Sequence, residues 1–168
     1  GMTRASRLPE NAGLCFMGDT KGGAFDLDQE SATAMLGSQQ NASGRLNSDV
    51  VTPWVNGLDI TRRPRGMWII DFGIDMPLAE AATYELPFQH VEQKVKPDRL
   101  QNNRESYRNR WWIHAEPRPA MRAALATLQK FIVTPSVAKH RLFSWLAHPT
   151  LPDHKLFVIA RDDDYFLG

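Results

Sequence analysis

The chain has 168 residues, a formal net charge of +1 at pH 7, and 42% hydrophobic and 23% charged residues. A chain of this length buries well over half of its unfolded surface, so one globular domain with a full core is expected. The single cysteine, Cys15, excludes an internal disulfide. The sequence shows neither a signal-peptide pattern nor an apolar run long enough to cross a bilayer, and we expect a cytoplasmic protein.

The first residues do not look like part of the fold. Gly1 before Met2 resembles the scar that tag removal leaves. We expect residues 1–12 to be this scar and a flexible N-terminus, and residues 13–168 to be a single domain cut from a longer protein.

The domain is predicted to open with two short strands and a helix. Strands over residues 14–17 and 24–27 are expected to form a hairpin around the intervening glycine-rich turn. Asp28 is a suitable N-cap for a helix over residues 29–36, and Gly37 stands where a C′ glycine belongs.

A polar loop then leads to two apolar strands, predicted over residues 50–60 and 67–73, whose side chains are largely β-favouring. Pro77 begins an alanine-rich helix, which Pro87 is expected to interrupt near Leu86, because proline cannot continue the hydrogen-bonding pattern of a helix.

The second half alternates helices and strands. Its predicted elements are a helical segment over 88–95, a charged helix over 98–112, a helix over 119–130, and strands over 131–137, 141–146 and 156–161. The fold class that follows is α+β, with a mixed or antiparallel sheet and inserted helices.

Three arginines lie on a short segment between the two central strands. The segment contains Arg62, Arg63 and Arg65. Pro64 stiffens its backbone, and Gly66 ends the stiff part because glycine allows more backbone conformations. A stiff loop of this kind can present guanidinium groups to phosphates or to guanine edges. The alternative is a solvated surface turn.

Two further basic groups are candidates for DNA contact. Arg104 and Arg108 are four residues apart and would share one face of the predicted 98–112 helix, where they could track a DNA backbone or form salt bridges. Lys139, His140 and Arg141 precede an apolar strand, where they could contact phosphates or protect a strand edge.

Charge is distributed unevenly along the chain. The stretch 99–122 contains six arginines against two acids, whereas acids collect near residues 26–30 and 162–164. A cluster of this kind is more informative about nucleic-acid binding than the net charge.

The sequence lacks the motifs of catalysis on DNA. It has no Pro-Pro pair for the loop that holds a target adenine amine, and Gly18 opens a turn that lacks the second glycine expected at a methyl-donor site. Asp75 with Glu92 and Lys94 imitates the spacing of a Mg²⁺-dependent nuclease, but the last two fall in a predicted helix and would face different directions. No histidine has metal-ligand spacing. We therefore expect no catalytic residue, cofactor or metal in this chain.

The residues also carry a resemblance to a known family. Residues 47–73 closely resemble the start of the target-recognition domain in MmeI-like restriction–modification enzymes, and further segments resembling this family are 104–114, 131–143 and 160–166. In that family one polypeptide carries a nuclease, an adenine-N6 methyltransferase that uses S-adenosylmethionine, and the domain that reads the DNA site. The chain resembles only the last of these.

The resemblance implies a bacterial, DNA-binding target-recognition domain that works with the methyltransferase domain of the same parent chain on double-stranded DNA. The residues predicted to contact DNA are Arg62, Arg63, Arg65, Arg104, Arg108, Lys139, His140 and Arg141. The family continues beyond Gly168 with further strands, so an open sheet edge and edge-to-edge homodimers are expected. Two alternatives remain: a protein-interaction module without direct DNA contact, and a Mg²⁺-dependent nuclease.

Overall fold

The computed structural model describes residues 14–39, 41–137 and 142–163, so the predicted flexible N-terminus lies outside the described residues. Within these ranges the chain forms two four-stranded sheets and seven helices, and the predicted α+β class is confirmed. The strands are β1 (Cys15–Met17), β2 (Asp26–Leu27), β3 (Val51–Val55), β4 (Trp68–Ile70), β5 (Lys130–Pro135), β6 (Ser144–Ala147), β7 (Leu151–Pro152) and β8 (Leu156–Ile159). The helices are α1 (Gln29–Leu36), α2 (Gly57–Thr61), α3 (Leu78–Ala81), α4 (Glu85–Lys94), α5 (Lys96–Arg99), α6 (Glu105–Asn109) and α7 (Pro119–Leu125), and a 3₁₀ turn covers Asn47–Asp49.

The first sheet has the order β1-β8-β5-β6 and is antiparallel throughout. Its β5 strand lies between two neighbours, and its apolar side chains from Phe131 to Val133 are buried. In this strand Ile132 faces Ile159 on one side and Trp145 on the other. Branched and aromatic side chains of this kind pack well on a pleated surface, which explains why this segment forms a central strand.

The second sheet has the order β2-β4-β3-β7. Its β3 strand pairs antiparallel with β4, with Val51 opposite Ile70, and parallel with β7, with Trp54 opposite Leu151. One sheet is therefore antiparallel and the other mixed, where the sequence predicted a single sheet.

The segment after β1 connects the two sheets. The Gly18 amide donates to the carbonyl of Leu156 at 3.0 Å, and the Asp19 amide donates to that of Pro152 at 2.8 Å. A β-carbon added at Gly18 would lie 2.1 Å from the carbonyl oxygen of Asp153, so only glycine fits here. Apolar side chains from both sheets belong to one core cluster.

The predicted hairpin over 14–27 was wrong. The β1 strand pairs with β8 and the β2 strand with β4, so the two strands lie in different sheets. The intervening residues do not form a tight turn, because Thr20 exchanges backbone hydrogen bonds with Glu116 far along the chain.

The predicted strand over 50–60 ends at Val55. Asn56 caps α2, because its side chain accepts the amides of Leu58 and Asp59, and the Asp59 carboxylate accepts the Asn56 amide at 2.8 Å. This reciprocal arrangement is a capping box, and it turns the second half of the predicted strand into a helix.

The predicted charged helix over 98–112 was also wrong. The structure has two short helices, α5 and α6, separated by a turn in which the Asn102 side chain accepts the Arg104 amide at 2.8 Å. The helix predicted over 119–130 begins at Pro119 as expected but ends at Leu125.

Other predicted helices hold with adjusted ends. The side chain of Asp28 caps α1 by accepting the Ser31 amide at 2.7 Å, as predicted, but Gly37 is a right-handed C-cap residue with φ of −89°. The alanine-rich segment breaks between α3 and α4, before Leu86. Pro87 is accommodated in the first turn of α4, where its missing amide hydrogen costs no helical hydrogen bond.

Candidate nucleic-acid interface

A buried carboxylate fixes the loop that carries the three arginines, residues 62–66, which we call the arginine loop. The Asp59 carboxylate accepts the Arg65 amide at 2.7 Å, and the guanidinium binds it in a fork through Nε at 3.1 Å and Nη2 at 3.2 Å. Burial by itself raises the pKa of Asp59, but the hydrogen bonds from Arg65 and Asn56 outweigh it and hold the pKa below its usual range. Arg65 therefore stabilises the loop from within.

Arg62 and Arg63 have a different environment. Both are exposed, and their side chains make no hydrogen bond or ion pair to any residue that the structure describes. The loop that presents them is restrained by Pro64 and by Gly66, whose φ of +65° favours glycine. Two guanidinium groups thus project from a fixed base and remain available to an external anion.

A groove lies between α2, which directly precedes the arginine loop in the chain, and the end of β5, and we call it the α2–β5 groove. Its volume is about 440 Å³. The residues that line it are Asn56, Gly57, Leu58, Thr61, Pro135, Ser136, Val137 and Lys155.

The groove brings together two segments that are far apart in sequence. Thr61 lines one side and is followed directly by Arg62, whereas Val137 lines the other side and is followed by residues 138–141. Lys139, His140 and Arg141 themselves lie outside the described residues. Two of the three predicted DNA-contacting segments thus follow groove-lining residues in the sequence.

Arg104 and Arg108 make local contacts elsewhere. The Arg104 guanidinium donates to the Tyr107 hydroxyl at 2.9 Å, lies over that ring and is 3.8 Å from the Glu116 carboxylate. The Arg108 guanidinium donates to the carbonyl of Asn102 at 2.7 Å. Because α6 begins after Arg104, the two arginines do not share one face of a continuous helix as predicted.

Much of the basic stretch 99–122 is used inside the protein. Arg99 is 3% exposed and binds no carboxylate in the described part of the chain. Its guanidinium instead donates to five backbone carbonyls, at distances between 2.8 and 3.3 Å, which are those of Lys21, Gly22, Tyr107, Arg110 and Ile113. Burial lowers the pKa of Arg99. The side chain is a hub that joins residues 21–22 to residues 107–113, and it is not a surface charge.

A second internal cluster surrounds His114. Its Nδ1 lies 2.8 Å from the Asp19 carboxylate and its Nε2 lies 2.8 Å from the carbonyl oxygen of Ile70. Both partners are acceptors, so both ring nitrogens must donate, and the ring is an imidazolium. Burial by itself lowers the pKa of His114, but the charge and hydrogen bond of Asp19 and the charge of Asp71 outweigh it and raise the pKa above its usual value.

Arg122 completes this cluster. Its guanidinium binds both oxygens of Asp71, at 2.7 and 3.1 Å, and donates to Asp19 at 3.0 Å. Burial alone raises the pKa of Asp71, yet the charges of His114 and Arg122 hold it below its usual range. Two cations and two carboxylates are thus balanced within the core, which connects the segment after β1, the end of β4 and α7.

Acidic, histidine and cysteine side chains do not gather into a metal site in the described ranges. Across residues 14–39, 41–137 and 142–163, no group of three or more His, Cys, Asp or Glu is placed to hold a metal ion. Glu92 and Lys94 lie in α4, as predicted from the sequence. None of the helices in these ranges has the length and apolar character that crossing a bilayer requires.

Comparison with known proteins relates the fold to that of a DNA-bound enzyme. No family model matches the sequence, and no curated protein matches it. The fold resembles that of a solved type IIL restriction–modification enzyme, MmeI, in complex with DNA. The superposition covers 96% of this chain with a TM-score of 0.69 at 12% sequence identity, and the chain spans 20% of the length of that enzyme.

Sequence reasoning missed several residues that the structure makes prominent. Lys155 lines the α2–β5 groove, but it is an isolated lysine before an apolar strand and nothing in the local pattern distinguishes it. His114 was considered only for metal-ligand spacing. The Asn56-to-Asp59 spacing did carry a signal, because a capping box is visible in the sequence.

Proposed function

We propose that this chain is the DNA-target-recognition portion of an MmeI-like restriction–modification methyltransferase. Its role would be to hold double-stranded DNA and read its sequence for a separate catalytic domain of the same parent chain. By resemblance, that domain would use S-adenosylmethionine to methylate a flipped adenine at N6. The recognition portion would supply binding and no catalysis.

One observation carries the proposal. The exposed guanidinium groups of Arg62 and Arg63 project from a loop that Asp59 fixes, directly after the helix that forms one wall of the α2–β5 groove. Phosphate contacts fix the register of a protein on a duplex, and rigid arginines are well suited to them. The similarity of fold to an enzyme solved with DNA supports the same assignment.

Arg99 and Arg122 bind groups inside the protein, which narrows the set of arginines that could contact DNA. Both belong to the basic stretch of the sequence, yet their guanidinium groups are committed to carbonyls and carboxylates. Arg62 and Arg63, which are exposed, are better placed than Arg99 and Arg122 to contact DNA. The net charge of +1 is consistent with a binding surface whose cations are local.

The test is a titration of a fluorescent duplex, about 20 base pairs long, at roughly 50 and 200 mM salt. We expect non-specific affinity on the order of 10⁻⁴–10⁻⁶ M that falls steeply with salt. Arg63→Gln should weaken binding and reduce the salt slope by about 0.9 if it releases one phosphate. Lys94→Gln is the matched control, because it removes one exposed charge from α4.

Two results would contradict the proposal. Absence of salt-dependent binding by the unaltered chain would favour a protein-interaction module. Equal effects of Arg63→Gln and Lys94→Gln would show that the arginine loop has no special part in binding. Since further strands of the parent chain contribute to a complete domain by resemblance, the same pair of variants in a full-length parent is the stronger version of this test.

A further inference from the structure

The α2–β5 groove has a feature that the sequence did not reveal. Lys155 is exposed, and its ammonium group makes no hydrogen bond or ion pair to a described residue. It lies on the same groove as Thr61 and Val137, after which two of the predicted DNA-binding segments begin. With no side-chain partner among the residues that the structure describes, Lys155 is available to an anion.

The backbone around Lys155 is held on both sides. Its amide donates to the Asp153 carboxylate at 3.1 Å, and its carbonyl accepts the Ser136 amide at 2.8 Å. The Asp153 amide in turn donates to the carbonyl of Val55 at 2.8 Å, just before α2. These bonds fix the start of β8 against the ends of β3 and β5, so the walls of the groove are rigid.

The nearby carboxylates do not cancel the positive charge. Asp59 is buried and bound by Arg65, and Asp153 is buried and accepts hydrogen bonds from the Lys155 amide and from His154. Among the described residues near α2, the charges left for an external ligand are those of Lys155, which lines the groove, and of Arg62 and Arg63, which follow its α2 wall in the chain. Their sign fits a polyanion.

Gly57 contributes no side chain to the lining of the groove. A β-carbon placed there would lie 3.8 Å from Lys155 Cβ, an ordinary van der Waals contact. The absence of a side chain at this position leaves space next to the lysine. A methyl group at position 57 would therefore fit, whereas a large side chain there would reduce the space beside Lys155.

We propose that the α2–β5 groove binds the sugar–phosphate backbone of one DNA strand, with Lys155 as a phosphate-contacting residue and Gly57 as a position in the wall where a large side chain would fill the groove. This inference rests on the proposed function and adds to it a strand path and a residue that the sequence did not indicate. Contacts of this type position the duplex and carry no sequence information.

The first experiment changes the charge. Lys155→Gln should weaken binding to a mixed-sequence duplex roughly threefold or more at low salt, and reduce the salt slope by about 0.9. The loss should be similar for unrelated sequences, because a phosphate contact does not distinguish bases. Lys94→Gln, with the same change in net charge, should bind like the unaltered chain.

The second experiment blocks the groove without altering any charge. Gly57→Phe should place a ring in the groove and weaken DNA binding at least as much as Lys155→Gln does. The methyl group of Gly57→Ala should fit without a clash, so this variant should bind DNA like the unaltered chain. Circular dichroism and thermal melting of both variants verify that the fold is retained.

The outcomes separate the two proposals. If the unaltered chain does not bind duplex DNA, the proposed function and this inference both fall. The groove assignment alone is overturned if the unaltered chain binds DNA but each variant has the same affinity as its control. The pairs compared are Lys155→Gln with Lys94→Gln, and Gly57→Phe with Gly57→Ala. Weaker binding by both Lys155→Gln and Gly57→Phe, but not by their controls, supports it.

Discussion

Replacing His114 by glutamine should destabilise the protein strongly. The imidazolium donates to Asp19 and to the carbonyl of Ile70, and its charge helps to balance two carboxylates against Arg122. Glutamine has no charge and cannot donate to both acceptors with the geometry of the ring. The variant would bury two carboxylates against one guanidinium.

The size of the effect follows from the burial. Removing one partner from a buried ionic cluster costs about 3–5 kcal/mol, because the remaining charge is left uncompensated. Total stabilities of folded domains are about 5–15 kcal/mol. For a domain of this size, each kilocalorie shifts the melting temperature by about 2–4 °C, so a fall of roughly 6–20 °C is expected.

The dependence on pH gives a more specific signature. Because the pKa of His114 is raised in the folded state, its contribution to stability is fully present below the unfolded value, near pH 6.5, and is lost as pH rises through the folded value. Between these two values the free energy of unfolding should fall by about 1.4 kcal/mol per pH unit. His114→Gln should lack this component.

The assay is urea unfolding followed by tryptophan fluorescence at a series of pH values from about 6.5 upward, where the histidine component is expected. His90→Gln is the control, since His90 makes one hydrogen bond, to the carbonyl of Ala24, that glutamine can replace. Parallel curves of stability against pH for the unaltered chain and His114→Gln would refute the assignment of a buried imidazolium. Equal stability of the two proteins would refute the ionic cluster itself.

Three further predictions concern single side chains. Arg65→Ala should lower the free energy of unfolding by about 1–3 kcal/mol, because it leaves the buried Asp59 carboxylate short of hydrogen-bond donors. Arg63→Ala should leave this free energy unchanged, and denaturant titration of both variants checks the difference. Arg99→Lys should lower the free energy of unfolding by about 3 kcal/mol in the same assay, because an ammonium group cannot donate to all five carbonyls that the planar guanidinium binds. A loss below about 0.5 kcal/mol would show that these hydrogen bonds do not stabilise the fold. Gly18→Ala should lower the melting temperature or prevent folding, because its methyl group would collide with the carbonyl of Asp153, and normal melting would show that the close approach is absent.

Several features were predictable because their causes are local. Asp28 lies next to the amides that it caps, so the start of α1 could be predicted from a few neighbouring residues. The apolar, branched run of β5 predicts a buried strand wherever it is placed. The restraint of the arginine loop follows similarly from Pro64 and Gly66, since each limits its own backbone.

The tertiary structure decided which strands pair and which charges remain exposed. β1 pairs with β8 and not with β2, because strand pairing depends on contacts between residues far apart in the chain. Arg99 and Arg63 are equally basic in the sequence, yet one is enclosed by five carbonyls and the other projects into solvent.

The groove was decided in the same way. Lys155 and Gly57 are nearly one hundred residues apart, and they become neighbours because the backbone at Asp153 binds that at Val55 while the carbonyl of Lys155 binds Ser136. A local sequence pattern specifies what each residue can do chemically. Only the folded chain determines whether a charged group binds partners inside the protein or remains exposed to a ligand, because burial and pairing depend on the surrounding residues.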